Sequence, residues 1–214
     1  MNMYWFLSLF FVGCGDVDRG SLEQASILAI GDSIFEWHIW NQKSVPEHLD
    51  SDLGTVYNAA LSGAMITEEI SSGVLNQYKE GDWDWVVMDG GGNDLNDLCL
   101  CDDCSEVQDQ IELAYQDFLQ DRIDDGQQVL IWGYYGLPKN AKFGFDECVD
   151  DFEELSRRQK KLSEMDDRIV FVDGKEKITG EDKSYFYFDR VHPSKKGTST
   201  IGEQISKAMR DHSD

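Results

Sequence analysis

The feature that most constrains this chain is a regular alternation of short apolar runs with longer amphipathic stretches. The apolar runs are bounded by turn residues and predict five buried strands, at 26–30, 55–58, 85–88, 128–132 and 168–172. The stretches between and after them predict helices at 67–78, 105–125, 149–165 and 194–210. Strands that alternate with helices favour a parallel sheet covered on both faces. We therefore expect an α/β fold, a three-layer α/β/α sandwich around a mainly parallel five-stranded sheet, in one domain of residues 26–214.

The charge balance excludes several classes of protein. The 214 residues include 42 Asp plus Glu and only 19 Lys plus Arg, which gives a formal net charge of −23. Binding to nucleic acid or to an anionic lipid surface requires clustered cations, so neither is an expected partner. The 41% hydrophobic content is too high for a disordered acidic chain. A well-hydrated, self-repelling surface explains the acidity, and the alternative is adaptation to a saline habitat.

The first residues differ from the rest of the chain. Met1 to Gly13 carry no charged side chain, and the apolar run from Tyr4 to Val12 is too short to span a bilayer. Followed by Gly13 and Cys14, this run is similar to a bacterial lipoprotein signal, and the alternative is a buried strand. The similarity implies a removed signal peptide (1–13), a lipid on Cys14 and a polar tether (14–25). The protein would then be exported, periplasmic or at the cell surface, and would meet the membrane only through that lipid anchor.

The remaining four cysteines suggest covalent cross-links. Cys99, Cys101, Cys104 and Cys148 form an even set, which favours two disulfides in an exported chain. The alternative is a zinc site built from four thiolates. A bridge between Cys99 and Cys101 is disfavoured because residues two apart seldom reach disulfide geometry. Cys148 is therefore expected to pair with a cysteine of the 99–104 loop.

Polar residues cluster where the predicted strands end. Ser33 follows the first strand, Gly63 the second and Asn93 the third, and Asp189 and His192 precede the last helix. In an open parallel sheet, ligands bind beyond the carboxyl ends of the strands. These five residues therefore define the expected site.

Together, these segments resemble the four sequence blocks of the SGNH, or GDSL-like, hydrolase family. The matching residues are Gly31-Asp32-Ser33-Ile34, Gly63, Gly91-Gly92-Asn93-Asp94 and Asp189-x-x-His192. The resemblance implies a flavodoxin-like fold and a serine esterase that acts through an acyl-enzyme, without metal or organic cofactor. It also implies an oxyanion hole formed by the backbone N–H groups of Ser33 and Gly63 and the side-chain amide of Asn93. Asp32 would brace the loop.

The chemistry of the residues supports the same reading. A serine hydroxyl becomes a good nucleophile when a histidine takes its proton, and a carboxylate holds that histidine in the right tautomer. Ser33, His192 and Asp189 can fill these roles. The Gly-x-Ser-x-Gly elbow of α/β-hydrolases is missing, which argues against that fold. The other histidines, His38, His48 and His212, lack a comparable acid partner and are expected to be non-catalytic.

The substrate is less well defined by sequence. Aromatic residues that suit an acyl chain, an aryl group or a sugar ring are expected around the site, namely Trp37, Tyr134, Tyr135, Phe143, Phe145, Tyr185 and Tyr187. We expect a monomer that hydrolyses a small-molecule ester, either an acyl or lipid ester or an acetylated carbohydrate. One alternative is a non-catalytic lipoprotein that binds a ligand on the same fold. The other is a zinc or redox module built on the four cysteines.

Overall fold

The computed structural model describes residues 18–213 and contains the expected parallel sheet. Its five strands are β1 (Ile27–Ile30), β2 (Val56–Asn58), β3 (Trp85–Met88), β4 (Gln128–Gly133) and β5 (Ile169–Asp173). They lie in the order β2-β1-β3-β4-β5, and every neighbouring pair is parallel. All residues of β1 and β3 are buried, because layers on both faces cover the central strands. The five predicted strands are confirmed, and no strand end shifts by more than one residue.

Helices form the two outer layers. They are α1 (Ser33–Glu36), α2 (Gly92–Leu98), α3 (Ser105–Asp124), α4 (Val149–Leu162) and α5 (Lys195–Ser213). On one face, α3 packs against α4, and the Gln108 side chain donates to the Asp151 carbonyl. On the other face, α5 packs against the 3₁₀ helix Pro46–His48. The expected α/β/α sandwich is therefore present. The chain runs from β1 to β2 in one direction along the sheet, and from β3 to β4 and β5 in the other. Because crossover connections between parallel strands are right-handed, opposite directions place them on opposite faces.

The predicted helix at 67–78 is wrong. Only a 3₁₀ turn, Leu75–Gln77, forms there. The Asn76 side chain donates to the carbonyls of Glu68 and Ile70, so it competes for acceptors that a helix would use. A Cβ on Gly73 would lie 2.1 Å from the Glu68 carbonyl oxygen, so glycine permits this compact turn. The segment instead forms an irregular crossover from β2 to β3.

Two short helices were not predicted, and both begin directly beyond strand ends. The Asp32 carboxylate accepts from the Ile34 N–H and caps the first turn of α1. Gly91, with φ of 107°, precedes α2 in a backbone conformation that favours glycine. The glycines at 90–92 thus turn the chain from β3 into α2.

The cysteines form two disulfides, Cys99–Cys104 and Cys101–Cys148, with Cα–Cα distances of 5.3 and 4.8 Å. Cys148 therefore pairs with the 99–104 loop as expected, and ties the segment after α2 to the start of α4.

Among residues 18–213 there is no cluster of three or more His, Cys, Asp or Glu side chains that could hold a metal ion. Over the same residues, no helix has the length and apolar character needed to cross a membrane. The predicted signal peptide and Cys14 lie outside the described residues.

Candidate active site

The candidate site lies where the chain leaves the carboxyl end of β1. A Cβ on Gly31 would lie 1.8 Å from the Asp89 carboxylate, so only glycine allows the chain to pass here. The next N–H, that of Asp32, donates to Asp89 Oδ1 at 2.8 Å. Ser33 then begins α1 at the boundary between β1 and β3. This boundary is the switch point at which an open α/β sheet binds its ligands.

The structure brings the predicted nucleophile, base and acid together. His192 Nε2 lies 3.0 Å from Ser33 Oγ, and His192 Nδ1 lies 3.0 Å from Asp189 Oδ2. Ser33 comes from the end of β1, and the other two residues come from the loop before α5. A bridge between Phe186 and Pro193 closes that loop. One imidazole ring therefore contacts the hydroxyl and the carboxylate through its two nitrogens.

Backbone donors fix the Asp189 carboxylate. Its Oδ1 accepts from the N–H groups of Val191 and His192, both at 2.9 Å. Burial raises the pKa of Asp189, but the bonds from the His192 ring and from these two N–H groups outweigh burial and hold the pKa below its ordinary value. The carboxylate is therefore charged at neutral pH and favours the His192 tautomer with a proton on Nδ1.

Trp37 stacks on the candidate base. The Trp37 and His192 ring centroids lie 3.8 Å apart, with an angle of 9° between the planes. Trp37 follows α1 and Ser33 begins it, so the same short helix positions the nucleophile and the stacking ring. The sequence placed Trp37 near the site but did not indicate this contact.

The three predicted oxyanion donors lie on separate segments. Ser33 N–H and Gly63 N–H have no acceptor among the described residues. Gly63 has φ of +80°, is exposed, and would direct a Cβ into open space. Asn93 Nδ2 donates to the Ala64 carbonyl at 3.0 Å and retains a second hydrogen. These groups can therefore donate to a ligand.

Asp94 ties two of these segments together. Its carboxylate is fully buried and accepts from Ile66 N at 2.9 Å, and from both the N–H and the hydroxyl of Thr67 at 2.9 and 2.8 Å. The loop that carries Gly63 is thereby held against α2. No role was predicted for Asp94, although its place beside Asn93 in the motif was a signal.

A second set of contacts holds the same loop from its other side. Arg19 forms an ion pair with Glu36 at 2.9 Å and also donates to the carbonyls of Asn58 and Ala60. Glu36 Oε2 accepts from the backbone N–H of Ser62, the neighbour of Gly63, at 2.7 Å. Arg19 belongs to the segment predicted as a tether. Sequence reasoning missed this contribution because the three segments meet only in the fold.

A buried polar chain lies behind Ser33. The Gly92 N–H donates to the Tyr134 hydroxyl at 3.0 Å, and this hydroxyl donates to Asp32 Oδ2 at 2.6 Å. Burial and the nearby Asp32 carboxylate raise the pKa of Asp89 well above its ordinary value, and burial also raises the pKa of Asp32. Through the Tyr134 hydroxyl, Asp32 thus links α1 to the residue that follows β4 and to the start of α2, which matches the bracing role that the resemblance implied.

A cavity of about 20 Å³ adjoins Ser33 and Asn93. Tyr134, Tyr135 and Phe145, from the predicted aromatic set, line it. Larger cavities of about 440 and 420 Å³ lie elsewhere, the first beside residues 78–84 and 125–127, which precede β3 and β4. Cavity volume alone therefore does not identify the candidate active site.

The other predicted aromatic residues lie elsewhere around the site. Tyr187 packs edge-on against Trp37, Phe143 is exposed, and the Tyr185 ring lies under the Lys196 ammonium.

The remaining histidines lie outside the group formed by Ser33, His192 and Asp189. His38 is buried beside Trp40 and Tyr187, and burial lowers its pKa. His48 packs against Gly202 of α5, and His212 packs edge-on against Trp85. Within residues 18–213, none of these three histidines forms a hydrogen bond or ion pair with Ser33 or Asp189.

Comparison with known proteins adds a family and several related folds. The model of the GDSL-like Lipase/Acylhydrolase family matches residues 29–199. No curated protein matches the chain significantly.

Among solved structures, the acetyl xylan esterase AlAXEase superposes with a TM-score of 0.66 at 19% identity, over 85% of this chain and 98% of that one. Est24, a carbohydrate acetylesterase from Sinorhizobium meliloti, gives 0.65 at 14% identity, over 86% and 98%. The lipase Lip_vut3 from a goat rumen metagenome gives 0.61 at 21% identity, over 85% and 96%. At these identities the likeness concerns the fold.

Proposed function

The chain belongs to the GDSL-like lipase/acylhydrolase family, and from this premise we propose that it is a serine esterase that removes acetyl groups from carbohydrate. The observation that carries the proposal is the position of one imidazole. His192 lies 3.0 Å from both the Ser33 hydroxyl and the Asp189 carboxylate. This is the arrangement that nucleophilic ester hydrolysis requires.

In the first half of the reaction, His192 Nε2 takes the Ser33 proton while Oγ attacks the ester carbonyl carbon. The carbonyl electron pair moves onto oxygen and gives a tetrahedral oxyanion. When this intermediate collapses, the bond to the alcohol oxygen breaks, and His192 gives its proton to that oxygen. The alcohol leaves and the acyl group remains on Ser33.

In the second half, water attacks the acyl-enzyme and passes a proton to His192. Collapse of the new intermediate releases the carboxylic acid and returns the proton to Ser33. Asp189 stabilises the imidazolium in both halves and remains a carboxylate throughout. The Ser33 and Gly63 N–H groups and the free Asn93 amide hydrogen are the proposed oxyanion donors, each contributing about 100- to 1000-fold in rate.

The size of the cavity supports a small acyl group. About 20 Å³ beside Ser33 holds roughly one water-sized group, and an acetyl methyl is of that size. Tyr134 and Tyr135 line this space and are buried, so a longer chain would have to displace packed rings. The acetyl esterases among the fold relatives agree with this choice.

The test is hydrolysis of p-nitrophenyl esters of increasing acyl length by wild type and by Ser33→Ala. Wild type should prefer the acetate, and Ser33→Ala should lose turnover and keep the circular dichroism spectrum of the fold. Ser51→Ala, which alters an exposed serine in a turn, is the matched control and should behave as wild type. Unchanged turnover in Ser33→Ala would exclude the proposed nucleophile. A correctly folded wild type that hydrolyses no ester would favour the non-catalytic ligand-binding alternative.

A further inference from the structure

Beside the candidate catalytic group lies an exposed aromatic surface. Trp40, Tyr187 and Phe188 are 59, 40 and 71% exposed, and we call them the aromatic platform. The Tyr187 and Phe188 ring centroids are 4.8 Å apart, and Trp37 links the set by packing edge-on against Trp40 at 5.5 Å and Tyr187 at 5.6 Å. Since large aromatic rings in a soluble protein are normally covered, a contiguous exposed group marks a binding surface.

The platform lies on the side of the site that the leaving alcohol must occupy. In ester hydrolysis, the histidine gives its proton to the alcohol oxygen, so the alcohol part of the substrate lies next to the imidazole. Trp37 stacks on His192, and the platform continues outward from Trp37. The small cavity adjoins Ser33 and Asn93 instead. The acyl and alcohol parts of an ester therefore have separate places.

The local backbone is built to present Trp40. The 3₁₀ turn Ile39–Asn41 lies between His38 and Gln42, which have φ values of 70 and 53°. Left-handed conformations are costly for residues other than glycine. The Trp40 ring also packs against the rings of Trp37 and His38, with centroids 5.5 and 5.4 Å away. A ring that is already positioned lowers the entropic cost of binding a ligand.

Charge and ring chemistry distinguish between the possible occupants. A formal charge of −23 opposes docking on anionic lipid or association with a second equally charged copy. A neutral sugar meets no such repulsion. The C–H bonds on one face of a pyranose ring carry partial positive charge and pack well on the negative face of an aromatic ring.

We propose that the aromatic platform of Trp40, Tyr187 and Phe188 is a subsite that binds a sugar ring of a neutral O-acetylated carbohydrate during deacetylation. The inference rests on the proposed function, because it identifies the alcohol part of the substrate for the same reaction centre. It also predicts that the platform binds the sugar in a protein that cannot turn over the ester.

The first experiment compares two substrates that share the acetyl group. Acetylated xylotetraose has sugar rings, whereas ethyl acetate has none, and kcat/KM is measured for both by titration of the released acid. In Trp40→Ala and in Phe188→Ala, the ratio of the sugar value to the ethyl acetate value should fall about 3- to 10-fold, mainly through KM of the sugar. Leu113→Ala, which removes an exposed apolar side chain on α3, is the control and should leave the ratio unchanged. An unchanged ratio in both platform variants would overturn the proposal.

The second experiment measures binding in a protein that cannot turn over. Ser33→Ala is titrated with xylotetraose by calorimetry, with and without Trp40→Ala. Saturable binding that Trp40→Ala weakens supports the platform even if ester hydrolysis is not found, so the two proposals can fail separately. Binding that is absent, or equal in the two proteins, overturns the sugar subsite.

Two further measurements test the competing occupants. If Trp40→Ala abolishes binding to phosphatidylcholine vesicles and leaves the xylotetraose affinity unchanged, the surface docks on lipid and the proposal is wrong. If wild type sediments as a dimer and Trp40→Ala as a monomer, the platform is an interface between copies, and the proposal is likewise wrong.

Discussion

Replacing Trp37 by leucine tests how much the ring stacked on His192 contributes to catalysis. In the proposed mechanism, the imidazole carries in the transition states the proton taken from Ser33 or from water. Because its ring centroid lies 3.8 Å from that of Trp37, this cation would form against the indole face. Indole is the best side chain for attracting a cation above its face. A neutral imidazole gains less from the same face, so the contact stabilises the transition state more than the ground state.

The magnitude follows from the burial of the pair. Such contacts contribute about 0.5–1 kcal/mol when exposed and about 2 kcal/mol when desolvated, and the His192 side chain is only 16% exposed. A loss of about 1–2 kcal/mol corresponds to roughly a 5- to 30-fold fall in kcat/KM for Trp37→Leu. Trp37→Phe keeps a ring face and should lose less than half of this free energy. Trp37 is not a partner in the hydrogen bonds of His192 to Ser33 and Asp189, so these three side chains should stay in place.

The assay is ethyl acetate hydrolysis, because this substrate has no ring to bind the aromatic platform. Proton NMR of the His192 ring provides an independent check, since the Trp37 ring current should shift its signals upfield in wild type and not in Trp37→Leu. A kcat/KM for Trp37→Leu within about twofold of wild type would refute the reasoning, because the inferred stabilisation would be under about 0.5 kcal/mol. Equal losses in Trp37→Phe and Trp37→Leu would show that side-chain volume matters, and not the aromatic face.

Three further predictions concern the supports of the site. Asp94→Asn should cost about 1–3 kcal/mol of unfolding free energy, because either orientation of the amide leaves a buried loop N–H unpaired. It should also lower kcat about tenfold or more by displacing Gly63, and wild-type urea stability and kcat together would contradict both. Removing the Cys101–Cys148 disulfide by alanine at both positions should lower the unfolding free energy by about 4 kcal/mol, since the bridge closes a sequence separation of 47 residues; an unchanged urea midpoint would contradict this. Because burial raises the pKa of Asp89 well above 3.8 in the folded state, the folded protein keeps a proton that the unfolded chain loses, and stability should fall by about 1.4 kcal/mol per pH unit above about pH 4, until the raised pKa is reached. Asp89→Asn should remove that slope, and parallel urea stability curves for wild type and Asp89→Asn between pH 5 and 7 would contradict the raised pKa.

The strands were predictable because their signal is local. The strand residues Val86-Val87-Met88 are buried on both faces of the sheet, so each of them is apolar, and a short run of apolar residues can be recognised in the sequence without knowledge of the fold. Helix 67–78 was predicted wrongly because its composition allows a helix, whereas the bonds of Asn76 to Glu68 and Ile70 form only in the folded crossover. Helix propensity therefore gave the wrong prediction at a segment in which a polar side chain forms hydrogen bonds with backbone carbonyls.

In the candidate site too, some residues could be predicted from the sequence and some contacts could not. Ser33, Asp189 and His192 could be selected because their side chains have the chemistry of a nucleophile, an acid and a base, and because they lie directly after the first strand and directly before the last helix. The stack of Trp37 on His192 could not, because an aromatic residue near a site has many possible partners, and only the fold selects one. The pairing of Arg19 with Glu36 was hidden for a further reason, since Arg19 lies in a polar segment with no regular pattern.

The buried acidic residues differ from the exposed ones in where they lie and what they bind. Asp32, Asp89, Asp94 and Asp189 are the only buried acidic residues among 18–213, and all four lie at the carboxyl edge of the sheet. Each accepts at least one backbone N–H, from Ile34 in the case of Asp32. A buried carboxylate without such donors would be costly, so each of these positions fixes a loop as it is satisfied. The exposed acids thus charge the surface, whereas the four buried Asp side chains hold the segments that carry Ser33, Gly63 and His192. Replacing any one of them by a hydrophobic residue should therefore disturb activity more than replacing any exposed acid.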